Sequence, residues 1–142
     1  METSSCDPVT PDQAFAAIAL AAVGCDGQLG RDEARLLRNQ LEFRLPYRNR
    51  NELDMATLFD QLLTVLRTEG WSALVAQAVP VLLPDQRETA LALAAHLVHA
   101  DRSVTADERA FLTELSQRIE LPGGRAETIL EVIEVLHRDA LA

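Results

Sequence analysis

Apolar residues recur along most of this chain at three- and four-residue steps, the spacing of one helical face. Two stretches depart from that rhythm. Ala14 to Val23 and Ala90 to Val98 are apolar almost all round, the mark of a buried helix rather than a surface one. The first is opened by Thr10-Pro11-Asp12-Gln13, with Thr as N-cap, Pro at the first helical position and Gln placed for a capping box. The second is opened by Pro84-Asp85-Gln86. Between them the pattern predicts a helix from about Arg31 to Leu41, with Leu36, Leu37 and Leu41 inward. A longer one follows from about Asp54 to Thr68, with Met55, Leu58, Phe59, Leu62, Leu63 and Leu66 on one face. A short helix headed by Trp71 follows the break at Gly70; Pro80 should disturb it and Pro84 should end it. Thr105-Ala106-Asp107-Glu108 is a capping box whose helix turns Phe111, Leu112, Leu115 and Ile119 inward. A last helix, about Ala126 to Leu141, is expected to bury Ile129, Leu130, Ile133 and Leu136 and to show Glu127, Glu131 and Glu134 to water.

The two halves repeat each other. Asp26 and Asp101 are 75 positions apart, as are Glu33 and Glu108, and at that offset Ala17 meets Ala92, Val23 meets Val98 and Leu37 meets Leu112. The predicted fold is therefore all-α: about seven helices in a single compact bundle. It is a pseudo-two-fold duplication of a three-helix unit (about 10–68 and 84–142) joined by the Trp71 helix, with 1–9 as a flexible tail. Repeated units of this kind bury their apolar faces on each other, so the two alanine-rich helices are expected side by side.

Composition narrows the function classes. A chain of 142 residues suits one domain with a full core, and 48% hydrophobic with 25% charged residues suits a soluble one. A formal charge of −9 repels phosphate backbones, so no nucleic-acid partner is expected, and basic protein surfaces or cations are the more natural ones. The longest apolar run, Ala14 to Cys25, is short of the ~20 residues of a membrane span. No basic-then-apolar leader precedes Pro11, so a cytoplasmic location with Cys6 and Cys25 reduced is expected.

An alanine-rich helix, an Asp-Gly-polar-Leu loop ending in Glu, and an amphipathic helix, carried by Ala19 to Glu33 and again by Ala94 to Glu108, resemble the tellurite-resistance TerB-like family. The resemblance covers roughly Thr10 to the end. It implies an all-helical cytoplasmic protein of the stress or metal response, acting as a binding or scaffolding module near membrane partners, with acidic clusters proposed to bind metal. It implies no catalytic activity. Arg102 stands where glycine is usual in the second loop.

The chemistry-bearing candidates are few. Asp26, Glu33, Asp101 and Glu108 lie in the two inter-helix loops, where a divalent cation is the possible cofactor. A standard Ca²⁺ loop is excluded, because its first ligand positions fall on Ala22 and Gly24 in one loop and on Leu97 and His99 in the other. Glu33 and Glu108, like Asp32 and Asp107, sit in first helical turns, which acids stabilise. Asp26 and Asp101 follow helix C-termini, which acids do not stabilise, so an Asx-turn or a shared cation has to account for them. His96 and His99 are three apart on a buried helix and read as a polar edge of the core or an interface in preference to a metal site with Asp101 and Glu108. Glu42 to Asn51 is the only basic connection, and Arg44, Tyr47, Arg48 and Arg50 are the expected contacts to a protein partner, in a membrane-associated complex if the resemblance holds. No nucleophile constellation or phosphate-cradling loop is present, so the chain is expected not to be an enzyme.

Overall fold

The computed structural model describes residues 10–27, 29–100 and 103–141. They form seven α-helices in a compact bundle: α1 (Pro11–Gly24), α2 (Arg31–Glu42), α3 (Glu52–Glu69), α4 (Trp71–Ala78), α5 (Pro84–Val98), α6 (Ala106–Arg118) and α7 (Arg125–Leu136). Short 3-10 turns cover Tyr47–Asn49 and Val79–Val81, and no strand occurs among the described residues.

The predicted caps are in place. Thr10 Oγ1 accepts from the Gln13 N–H at 3.3 Å while Gln13 Oε1 accepts from the Thr10 N–H at 3.1 Å. Thr105 and Glu108 make the same reciprocal pair at 3.1 and 2.9 Å. At α5 only half of this device exists. Gln86 reaches back to the Leu83 N–H at 2.9 Å, but Leu83 has no side-chain acceptor to return the bond.

Helix α1 is the axis of the core. Its residues from Ala16 to Gly24 are all buried, and it packs chiefly on α5 and α4, then on α3 and α2. Fully burying Ile18 and Leu20 contributes roughly 1.5–3 kcal/mol each. Small residues of the same helix let neighbours approach: a Cβ on Gly24 would lie 2.9 Å from Leu66 Cδ2 of α3. Helix α5 lies against α1, as its apolar run Ala90–Val98 requires, and carries α6 and α7 on its remaining surface. Trp71, at the start of α4, sets its ring edge against Phe111 of α6 with centroids 5.3 Å apart, the core-anchoring role that suits it. Arg87, which no sequence pattern singles out, closes the ends of two elements. Its Nε donates to the carbonyls of Val79 and Leu82 at 3.2 and 3.0 Å, and its Nη1 to that of Ile119 at 3.4 Å.

Helix α7 corrects the expectation at the C-terminus. It stops at Leu136, five residues early, with His137 as its C-cap. Ile129, Leu130 and Ile133 are half-buried and Leu136 is 65% exposed, so Ala126 is its only fully buried residue. The physical reason is that α7 packs mainly on α5, and one neighbour covers only one stripe of a helix. The glutamates Glu127, Glu131 and Glu134 are exposed, as expected.

Candidate functional site

The two ends of the α1–α5 pair carry the two sets of candidate residues. At the N-terminal end, the connection between α2 and α3 folds over the first turns of α1 and α5. It encloses a cleft of about 600 Å³ lined by Phe15, Leu45, Pro46 and Leu82, with Arg44 and Asp85 among its polar groups. The Leu45–Pro46 peptide is cis. A cavity of this size with an apolar lining and few polar groups is the form that binding sites commonly take.

The arginines of the loop have different employment. Arg50 pairs with the Asp12 carboxylate on α1. Arg44 lies over the Phe15 ring, 5.9 Å from its centroid, and its Nε donates to the Gln40 carbonyl at 3.3 Å. Among the described residues its Nη groups have no hydrogen-bond partner, and Arg48 is exposed without an ion pair. Tyr47 is buried; its hydroxyl donates to the Asp12 carbonyl and its ring tilts against Phe15 at 6.3 Å. Burial pushes the Tyr47 phenol above its ordinary pKa. Tyr47 is thus a wall of the cleft, while several large apolar side chains of this loop and of the α5 N-cap are offered to solvent. Phe43 is 80% exposed, Leu45 66% and Leu83 65%. Sequence reasoning missed Phe43, Leu45 and Leu83 as surface groups; the only signal was that they fall outside every helical period.

Asp26 and Glu33 follow the C-terminal end of α1, and Glu108 acts on that end from the start of α6. Cys25 is buried at the end of α1, and its thiol is pushed up to about 12, first by burial and then by the charges of Glu108 and Asp26, with Asp107 adding less. Acids of the first loop and of the start of α6 thus act on one thiol from a distance. Glu108 is occupied in its capping box, and the Glu33 carboxylate folds back over Gly30, within 3.2 Å of where a Cβ there would lie. Asp26 is half-buried and follows the α1 terminus, where the Gly27 N–H donates to the Gly24 carbonyl at 3.1 Å and Gly27 takes φ +79°. Asp101 lies outside the described residues. Among the described residues, no three His, Cys, Asp or Glu side chains are placed to hold one metal ion.

His96 and His99 gather a partner that sequence reasoning missed. His137, at the end of α7, lies 2.8 Å from His96 Nδ1 through its Nε2, and its ring stacks on that of His99 with centroids 5.8 Å apart. The missed signal was the polar run His137-Arg138-Asp139, which interrupts the apolar period just where α7 ends.

The chain matches no family model, no curated protein and no solved structure. Among the described residues, no helix is long and apolar enough to cross a membrane.

Proposed function

We propose that this chain is a non-catalytic binding module whose recognition surface is the cleft over the N-terminal ends of α1 and α5. One observation carries the reading: Leu45, 66% exposed, lines an apolar cavity of about 600 Å³ together with Arg44 of the only basic connection of an acidic chain, and the exposed Phe43 and Leu83 directly precede or follow the lining residues Arg44 and Leu82 in sequence. Exposed apolar groups concentrated at a cavity mark an interaction site more often than scattered ones do. The resemblance to the tellurite-resistance TerB-like family supports the same class: a cytoplasmic scaffold of the stress or metal response that engages protein partners, including those of a membrane-associated complex. Affinity capture with the folded chain, beside a Phe43→Ser, Leu45→Ser double variant, tests it. A specific partner should be lost with the variant, and hydrogen exchange at 43–50 should slow when that partner binds. A partner retained equally by both proteins, with 43–50 unprotected, would refute the reading.

A second reading, a divalent cation held between the two acidic loops, is favoured by the negative charges of Asp26, Asp107 and Glu108, all of which act on the Cys25 thiol. It requires a saturable rise in melting temperature with Mg²⁺, Ca²⁺, Mn²⁺ or Zn²⁺ that Asp26→Asn and Asp101→Asn abolish.

A further inference from the structure

We infer that the cleft takes an acidic segment of a protein partner, which inserts one bulky apolar side chain between Phe15 and Leu82 and sets its carboxylates against Arg44 and Arg48. This rests on the reading of the cleft as the recognition surface and adds the chemistry of the occupant.

Charge chooses the sign. The stretch 43–51 holds three arginines and no acid in a chain of net charge −9, so an acidic segment is drawn to this face and repelled by most others. Arg50 is committed to Asp12, which leaves Arg44 and Arg48 to meet a partner. Arg44 is already held by the Phe15 ring and by its bond to Gln40, so its Nη edge is presented at little further cost in side-chain entropy. A fixed guanidinium edge suits a carboxylate, which it can bind through two parallel hydrogen bonds.

Size and surroundings choose a chain segment over a small ligand. The cavity admits a large apolar side chain, and the exposed Phe43 and Leu83 adjoin the lining residues Arg44 and Leu82 in sequence, apolar groups that a small molecule seated in the cavity alone would leave uncovered. Asp85 opposes the acidic occupant. Its carboxylate lines the cleft and has no ion pair among the described residues. It therefore keeps the partner's acids away from the α5 side and confines them to the loop that bears Arg44 and Arg48.

Fluorescence polarisation with three labelled heptapeptides on the full chain tests the inference. One carries a single tryptophan flanked by aspartates and glutamates, the second has lysines in place of the acids, and the third has alanine in place of the tryptophan. The acidic tryptophan peptide should bind roughly tenfold or more tighter than either control. Arg44→Gln should weaken it by about tenfold and Asp85→Asn should tighten it a few-fold, with circular dichroism showing both variants folded. Equal binding of the three peptides, no binding of the acidic one, or indifference to both substitutions overturns the inference. If in that case a captured partner still protects 43–50 from exchange, the recognition surface stands and only the chemistry of its occupant falls.

Discussion

His96 Nδ1 and His137 Nε2 stand 2.8 Å apart and join the middle of the bundle to its last helix. Gln40 Nε2 lies 3.4 Å from the other ring nitrogen, His96 Nε2. Because α7 beyond Ala126 is held only by the half-buried Ile129, Leu130 and Ile133, this contact and the stacking of His99 against His137 help to fix its far end. His137→Ala is expected to remove about 0.5–1.5 kcal/mol locally. Amide exchange at 132–136 should quicken while the protection of α1 stays unchanged. Equal exchange in the two proteins would show that the histidines do not anchor the helix.

Gly70 joins α3 to α4 with φ +89° and ψ 166°, a region that side chains avoid. A Cβ there would meet no atom within 4 Å, so backbone strain alone decides the effect of a substitution. Gly70→Ala should lower stability by roughly 1–3 kcal/mol, read as a shift in the urea midpoint at constant slope. A midpoint unchanged within error would mean that the α3–α4 corner relaxes.

The helices were legible because their signals are local. The all-round apolar runs of α1 and α5 required burial, and the Thr10 and Thr105 boxes each need only four consecutive residues. The α1–α5 contact was legible too, since the runs Ala14–Val23 and Ala90–Val98 leave almost no polar face to turn outward. The cleft was only partly so. Its arginines stand out in the sequence, but its walls come from Phe15, Leu82 and Asp85 as well, which only the packing of α1 beside α5 brings to the loop. Nor does the sequence show that Arg50 is spent on Asp12 and the Tyr47 hydroxyl on the Asp12 carbonyl. The end of α7 was misread because Leu141 prolongs the apolar content of the segment, although it is 99% exposed.

Glu114 on α6 accepts from the Ser72 hydroxyl at 2.5 Å and from Arg118 Nε at 2.8 Å. The Ser72 bond, followed by Arg118, holds its carboxyl below the usual carboxylate range. A carboxyl with a lowered folded pKa contributes stability above its unfolded value, and the contribution is lost as pH falls through the folded one. Ser72→Ala removes the larger cause, so the Glu114 side-chain signals should titrate at higher pH by NMR. The variant's stability deficit should be present at neutral pH and shrink on acidification below the carboxylate range. A Glu114 midpoint identical in both proteins would show that Arg118 alone sets it.

Cys25 reports on the acidic loops. With its thiol raised to about 12, it is protonated at every physiological pH. A raised folded pKa contributes stability that is complete below the ordinary thiol value and lost as pH climbs toward the folded one, so alkaline solution should weaken the fold from about pH 9 upward. At pH 8, alkylation of Cys25 by iodoacetamide should be slower in the folded chain than in urea by roughly a hundredfold or more, because the thiolate is the reacting form. Peptide mapping separates it from Cys6, which lies outside the described residues. The same rate tests the second functional reading. A divalent cation seated between the loops would offset Asp26, Asp107 and Glu108, lower the thiol's pKa and quicken alkylation along a saturable curve. A rate that stays flat through titrations with Mg²⁺, Ca²⁺ and Mn²⁺ would remove those ions from between the loops and leave the acids as helix caps and turn formers.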